Sequence, residues 1–304
     1  MNGSGGVSRK SFKATACVDW LDVVIATSKP SQHQHVQDAL KEITGTKLWV
    51  EVLDKQAGNA GTTFRLRFHD VLANDFKKLQ RTLDELSTRY PFVAAPSIAA
   101  VEVACDFRHK TGSIPETLAM THRLQSSLFA AGAKPRQFDP ATGKNRYLDH
   151  LGDRLDPNLN FRIGNKDDAF SWQCYFKRTD NQQPLPEDQW RARVEVTLQG
   201  SAPQEFGLNL LSDLQHFRFD KLAGLFRFRR PVAPEKQADG DLFKLTAINI
   251  NRELHDATPE RGMHSFDAVG RRDKSRKIRA VSSHLEADDE LRNAVKGALR
   301  RLTL

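Results

Sequence analysis

Two short segments, VEVACDF at 101–107 and RARVEVTL at 191–198, decide the fold of this chain. Successive side chains of a β-strand point to opposite faces, and both segments have apolar residues at every second position. The other face of each segment carries acids, namely Glu102 and Asp106 in the first and Glu195 in the second. We therefore predict two half-buried strands whose polar faces carry carboxylates.

A third segment, SWQCYFK at 171–177, has the same alternation and contains one of only three tyrosines in the protein. If the three strands are neighbours in one sheet with the same orientation, their polar residues line a single solvated surface. The residues on that surface are Glu102, Asp106, Tyr175, Lys177, Arg193 and Glu195.

Hydrophobic periodicity and turn residues predict the other elements. Strands are predicted at 14–27, 47–54, 62–68, 98–107, 145–149, 159–164, 169–178 and 189–199. Helices are predicted at 30–44, 71–89, 115–131, 204–215 and 291–302. This order is typical of an α+β fold with a mostly antiparallel central sheet and helices packed on one face, and it allows two similar halves.

Changes in composition along the chain suggest four regions. We predict a flexible N-terminus at 1–13, an α+β domain at 14–203, an aromatic and basic extension with a linker at 204–241, and a basic C-terminal tail at 242–304. With 304 residues, 39% of them hydrophobic, the chain can bury a substantial core.

Cysteine usage and hydropathy indicate the compartment. Cys17, Cys105 and Cys174 lie in apolar, strand-like runs without C-x-x-C spacing, which predicts buried free thiols in a reducing environment. The N-terminus lacks the apolar region of a signal peptide, and no apolar run reaches the length of about 18 residues that a membrane helix needs. We expect a soluble, cytoplasmic protein that does not interact with membranes.

The formal net charge of +8 favours a polyanionic partner such as DNA. Two basic stretches, within 217–231 and 271–279, could hold phosphates, and the first also has aromatic residues that could stack on bases. The candidate DNA-binding residues are Arg227, Arg229, Arg230, Arg271, Arg272, Lys274, Arg276, Lys277 and Arg279. Solvated charge runs beside a buried row of phenylalanines are the alternative interpretation.

The polar surface has the groups needed for cleavage of a phosphodiester. Carboxylate oxygens suit Mg²⁺ or Mn²⁺, so Glu102, Asp106 and Glu195 are candidate metal ligands. A tyrosine hydroxyl has an ordinary pKa of about 10 and needs a nearby cation to attack phosphorus. The candidate catalytic residues are Tyr175, Lys177 and Arg193. The alternative is an ordinary polar face with Glu195 in cross-strand ion pairs.

Three tyrosines compete for the role of nucleophile. Tyr90 precedes Pro91 at the end of a predicted helix and is typical of a boundary aromatic. Tyr147, in KNRYLDHLG, is the second candidate after Tyr175. The histidines of SQHQH, at 33 and 35, lie about 200° apart on a helix and are not expected to share a metal.

Four segments occur in an order that resembles the replication initiation factor family of rolling-circle plasmids and filamentous phages, often called Rep_trans. They are VDWLDV at 18–23, VEVACD at 101–106, CYFK at 174–177 and ARVEVTL at 192–198, and the resemblance spans 14–200. In this family a first strand carries Asp-Trp, and later strands carry acids, a tyrosine with a lysine, and an R-[I/V]-E-[I/V] motif.

The resemblance implies an HUH-like nickase fold and an endonuclease that nicks one DNA strand at a replication origin. Such an enzyme becomes linked through tyrosine to the 5′ phosphate and leaves a 3′ hydroxyl for a polymerase. Host helicase and polymerase are implied partners, and a homodimer is compatible with the second cleavage of a replication cycle. The sequence departs from the family pattern at Val101, Glu102 and Phe176. A non-catalytic DNA- or RNA-binding protein that uses the same sheet as a platform is the alternative.

Overall fold

A computed structural model describes residues 9–56, 59–71, 75–129, 135–148, 155–180, 183–231 and 285–302. The strands are β1 (Phe12–Gln32), β2 (Trp49–Val52), β3 (Ala60–Val71), β4 (Ser97–His109), β5 (Leu128–Phe129), β6 (Arg136–Asp139), β7 (Lys144–Tyr147), β8 (Asn160–Ile163), β9 (Phe170–Lys177), β10 (Thr179–Asp180), β11 (Gln183–Pro184), β12 (Arg191–Gln199), β13 (Arg227–Pro231) and β14 (Leu285–Ala287). The α-helices are α1 (His33–Thr44), α2 (Phe76–Arg89), α3 (Ile114–Ser127), α4 (Ala202–Glu205) and α5 (Asp289–Arg300).

The chain forms two compact units, and β1, β4 and β12 contribute residues to both. The unit that we call the hairpin unit consists of Ala16–Ala104, Thr197–Lys221 and Leu299–Leu304. The other, the tyrosine unit, consists of Met1–Thr15, Cys105–Val196 and Leu222–Ala298.

In the hairpin unit the strand order is β2-β3-β1-β4, and the β2–β3 and β1–β3 pairs are antiparallel. Helix α2 buries Leu79, Leu83 and Leu86, which recur at helical spacing and confirm an amphipathic helix. The helix begins at Phe76 and not at the predicted residue 71, which belongs to β3. Helix α1 ends at Thr44 and is capped by Gly45, whose φ of 74° is in the left-handed region that favours glycine.

The predicted start of the first helix at Pro30 is wrong by three residues. Strand β1 runs on to Gln32, and the helix begins at His33. After a register shift, Ser31 and Gln32 pair with Gly61 and Ala60 of β3, so the sheet satisfies the backbone groups of these residues.

Gly61 makes the β2–β3 hairpin possible because the chain passes very close to its neighbours there. A Cβ at this position would lie 2.4 Å from Val52 Cγ1 and 2.6 Å from Asp54 Oδ1. The Asp54 carboxylate is held in place, since it accepts hydrogen bonds from the amides of Thr62 and Thr63 at 3.0 and 2.7 Å.

Gly61→Ala is therefore expected to lower the free energy of unfolding by about 1–3 kcal/mol, the usual effect of forcing an extra carbon into a packed site. Urea unfolding would measure the loss. Gly224→Ala is the matched control, because an added Cβ at Gly224 meets nothing within 4 Å. Equal stability of the two variants would contradict this account of the hairpin.

In the tyrosine unit the strand order is β4-β12-β9-β8-β6-β7, with antiparallel β8–β9, β6–β8 and β6–β7 pairs. Together with the antiparallel pairs of the hairpin unit, this confirms the predicted α+β class with a mostly antiparallel central sheet. Helix α3 packs against β9 and β13. Its buried Met120 and Leu124 belong to the same core as Trp172 and Cys174 of β9.

Residues of the C-terminal region 285–298 belong to the tyrosine unit although they are distant along the chain. Strand β14 pairs with β13, which pairs with β5. Arg123 of α3 binds Asp288 at 2.9 Å and Glu290 at 2.7 Å, at the start of α5. These contacts anchor the C-terminal helix to α3.

Two further predicted helices differ from the structure. The helix at 115–131 ends at Ser127, because Leu128 and Phe129 pair with β13 as β5. The helix at 204–215 is interrupted at Gly207, whose φ of 85° lies outside the helical region, so only α4 and a 3₁₀-helix at Leu211–His216 form. Within the described ranges, none of the helices combines the length and apolar composition that crossing a membrane requires.

Candidate active site

Tyr175 lies on β9 with its hydroxyl directed at an acid of β12. The hydroxyl donates a hydrogen bond to Glu195 Oε1 at 2.6 Å, and Glu195 is only 3% exposed. The other face of β9 is apolar and buried, with Trp172, Cys174 and Phe176. Because side chains alternate along the strand, Tyr175 stands on the polar face, as predicted.

Cys174, next to the tyrosine, faces the core and is not a competing nucleophile. Burial raises the pKa of its thiol well above the ordinary value, and the negative charge of Glu195 adds to the effect. A buried thiol with a raised pKa stays protonated and unreactive. The three cysteines are free, and Cys105 and Cys174 are buried, as the sequence predicted.

Asp106 is held by two arginines of β12. Arg193 donates from Nε to Oδ1 at 2.6 Å and from Nη2 to Oδ2 at 2.8 Å, and Arg191 Nε donates to Oδ2 at 3.0 Å. Burial alone would raise the pKa of Asp106, but the charge and hydrogen bonds of Arg193 outweigh it, so the pKa lies below its ordinary value. The carboxylate is ionised and its oxygens are engaged, which leaves it poorly suited to the predicted role of metal ligand.

The two predicted catalytic cations also have carboxylate partners. Arg193, besides binding Asp106, places Nη1 at 3.4 Å from Glu195 Oε1, the atom that accepts from Tyr175. Lys177 Nζ lies 2.9 Å from Asp180 Oδ1, and the pKa of Asp180 is lowered because the charge and hydrogen bond of the lysine outweigh burial. Arg193 therefore contacts Glu195, the acid that accepts the hydrogen bond of Tyr175. Lys177 instead pairs with Asp180.

Glu102, in the hairpin unit, is only 5% exposed and accepts a hydrogen bond from Thr197 Oγ1 at 2.5 Å. A carboxylate oxygen of Asp19 lies within 4.8 Å of one from Glu102. Asp19, which lies in the VDWLDV segment, is not among the metal ligands predicted from the sequence. The signal that could have found it was the Asp-Trp pair of the first strand.

The basic residues predicted to bind DNA are only partly described. Arg227 and Arg229 of β13, with Arg292 of α5, line a cavity of about 320 Å³. Burial and the neighbouring arginines lower the pKa of both Arg227 and Arg229. Arg230 is exposed on the same strand. The predicted residues that lie outside the described ranges are Arg271, Arg272, Lys274, Arg276, Lys277 and Arg279.

The remaining tyrosines and the two histidines considered from the sequence lie on other elements. Tyr147 lies on β7 and is 54% exposed, and Tyr90 is the residue at which α2 ends. His33 and His35 lie in the first turn of α1, in agreement with the prediction that they begin a helix.

Comparison with known proteins gives a structural likeness but no family match. The chain is similar to the rolling circle replication initiator protein from Geobacillus stearothermophilus, with a TM-score of 0.39 and 15% identity over 81% of this chain and 97% of that chain. No family model matches the sequence, and no curated protein matches it.

Proposed function

We propose that this chain initiates rolling-circle replication by nicking one DNA strand at an origin, with Tyr175 as the nucleophile. The observation that carries the proposal is the hydrogen bond of 2.6 Å from the Tyr175 hydroxyl to Glu195, a buried acid that Arg193 also contacts. A hydroxyl bound to a carboxylate has a ready acceptor for its proton, which is the usual way to activate such a nucleophile.

The proposed reaction is a transesterification, in which the DNA phosphate exchanges its bond to the 3′ oxygen for a bond to tyrosine. The Tyr175 oxygen forms a bond to phosphorus while the bond from phosphorus to the 3′ oxygen breaks. The tyrosine proton passes to Glu195, and the departing 3′ oxygen takes a proton from solvent and becomes a 3′ hydroxyl. The phosphotyrosine keeps the energy of the broken bond, so the strand can be rejoined without ATP.

A divalent cation fits two neighbouring carboxylates of the hairpin unit. We propose that Asp19 and Glu102 of the hairpin unit, whose carboxylate oxygens lie within 4.8 Å of each other, contribute ligands to Mg²⁺ or Mn²⁺. Oxygen donors of this kind suit hard divalent cations. When bound, such a cation neutralises charge on the phosphate. Asp106 is not retained in the ligand set because its arginines occupy it.

Glu102→Gln is expected to weaken Mn²⁺ binding and metal-dependent nicking by about 100-fold, because it removes a ligand charge while keeping the side-chain shape. Isothermal titration with Mn²⁺ measures the binding. The matched control is Glu51→Gln, which removes an acid that is 41% exposed and pairs with Arg65 at 3.4 Å. Unchanged Mn²⁺ affinity in Glu102→Gln would remove this residue from the ligand set.

Contacts with the DNA backbone form the second part of the proposal. The cavity lined by Arg227, Arg229 and Arg292 concentrates positive charge, which suits a row of phosphates. Arg230 and the basic residues of 271–279 remain predicted contacts on the same grounds. Host helicase, polymerase and a second copy of the chain are partners that the proposed function calls for.

Incubation of the protein with supercoiled DNA bearing its own origin, in Mg²⁺ or Mn²⁺, tests the proposal. The expected results are relaxation of the DNA and a protein–DNA adduct that survives denaturation. Binding of the DNA without an adduct in either metal would instead favour a non-catalytic DNA- or RNA-binding protein.

A further inference from the structure

Two arginines stand directly opposite each other in the tyrosine unit. Arg136 of β6 pairs with Arg162 of β8 in the antiparallel register. Like charges in directly opposed positions destabilise a sheet. The fold therefore tolerates a local repulsion that an anion between the two side chains would relieve.

The arginine pair lies on the face of the sheet that carries the candidate nucleophile. Arg162 is also opposite Gln173 of β9, and directly opposed residues project to the same side of a sheet. Gln173 and Tyr175 are two residues apart on β9, so they share that side too. Arg136, Arg162 and Gln173 therefore lie side by side on three neighbouring strands, on the same face of the sheet as Tyr175.

The Arg162 side chain packs on an aromatic ring, and one of its donors has no acceptor among the described residues. Its guanidinium lies 4.2 Å from the centre of the Phe138 ring. Its Nε is buried and has no hydrogen-bond acceptor among the described residues. Within those same residues, no carboxylate forms an ion pair with Arg136 or Arg162. Because buried donors are seldom left unsatisfied, this donor points to a ligand.

The electrostatics agree with this geometry. Burial and the charge of Arg136 lower the pKa of Arg162, while the charges of Glu195 and Tyr175 raise it. Arg162 is therefore close enough to interact with the groups of the proposed reaction, and it remains a cation because a guanidinium does not lose its proton in proteins.

We propose that Arg136 and Arg162 form a phosphate-binding site for the DNA strand that Tyr175 attacks. Two adjacent guanidinium groups match the oxygens of a phosphate and bind it through several charge-assisted hydrogen bonds. The site places a backbone phosphate on the face of Tyr175 and so positions the strand. The inference that the bound phosphate belongs to the DNA strand attacked by Tyr175 rests on the proposed function. The inference that the two arginines bind a phosphate does not.

The test measures binding of a 20-nucleotide oligothymidylate by fluorescence anisotropy in metal-free buffer, over a series of salt concentrations. Arg136→Gln and Arg162→Gln are each expected to weaken binding about tenfold at low salt and to reduce the salt slope by about 0.7 for the lost phosphate contact. Arg89→Gln is the charge-matched control, because its side chain is 43% exposed, pairs with Glu42 and lies outside the predicted basic stretches; it should leave both quantities near the wild-type values.

Thermal unfolding shows whether the variants fold and which phosphate the site takes. Relief of the like-charge repulsion is expected to leave the Tm of Arg162→Gln at or slightly above the wild-type value. Inorganic pyrophosphate should raise the wild-type Tm but not that of the Arg136→Gln, Arg162→Gln double variant. Loss of the pyrophosphate effect with unchanged oligonucleotide binding would mean a site for free phosphate and would overturn the proposal.

The outcomes separate this inference from the proposed function. If the wild-type protein makes no adduct but the variants lose oligonucleotide affinity, the phosphate site stands and the nickase proposal fails. If the wild-type protein nicks its origin and both variants bind oligothymidylate with wild-type affinity and salt slope, the phosphate site is refuted.

Discussion

Replacement of Tyr175 by phenylalanine is expected to abolish the covalent protein–DNA adduct and to reduce nicking by at least about 10⁴-fold, as removal of a catalytic nucleophile does in other enzymes. Phenylalanine keeps the ring of Tyr175 but lacks the oxygen that would bond to phosphorus. The adduct is measured on a denaturing gel after incubation with labelled origin DNA and Mn²⁺. Binding of the same DNA should persist, since the proposed phosphate contacts are made by other residues.

Tyr147→Phe is the matched control for this experiment. Its hydroxyl stands on β7 and its side chain is 54% exposed, whereas the hydroxyl of Tyr175 is bound to a buried acid at 2.6 Å. Adduct formation by Tyr147→Phe is therefore expected to equal that of the wild type. If Tyr147→Phe loses the adduct and Tyr175→Phe retains it, the nicking function survives but the assignment of the nucleophile is wrong.

Asp106→Ala is expected to give the largest loss of stability, about 3–5 kcal/mol, because it leaves buried positive charge without its partner. Arg193 is 2% exposed and makes two hydrogen bonds to Asp106, and Arg191 makes a third. Urea unfolding measures the loss. Glu51→Gln, which removes an exposed ion-pair partner of Arg65, should change stability by less than about 1 kcal/mol.

The same ion pair predicts how stability depends on pH. The pKa of Asp106 is lower in the folded protein than in the unfolded chain, so its contribution is fully present above the unfolded value of about 3.9 and is lost as the pH falls through the folded value. The stability of the wild type should fall more steeply below about pH 4 than that of Asp106→Ala. Parallel pH profiles of the two proteins would show that the ion pair contributes nothing.

A double replacement separates the structural role of this pair from its chemical role. Asp106→Leu combined with Arg193→Met removes both charges and is expected to recover much of the stability lost in Asp106→Ala, because apolar residues often replace buried ion pairs without cost. Nicking should stay impaired, since Arg193 also contacts the oxygen of Glu195 that accepts from Tyr175.

Local patterns in the sequence determined the strands and the faces of their side chains. The alternation along β4, β9 and β12 is a property of each segment alone, so it correctly placed Tyr175 and Glu195 opposite apolar residues of their own strands. The prediction that the polar residues of these strands are solvated is wrong, because Glu102, Arg193 and Glu195 are buried. The left-handed glycine at Gly45 and the leucine spacing of α2 were likewise visible without any tertiary contact.

Tertiary structure alone decided which polar residues meet. The partnership of Asp106 with Arg193, and the opposition of Arg136 to Arg162, depend on the register between strands that are distant in the sequence. Register is set by backbone hydrogen bonds and by packing of the whole sheet, neither of which a single segment contains. The sequence therefore established the chemical groups of the site, and the pairing of strands established their partners.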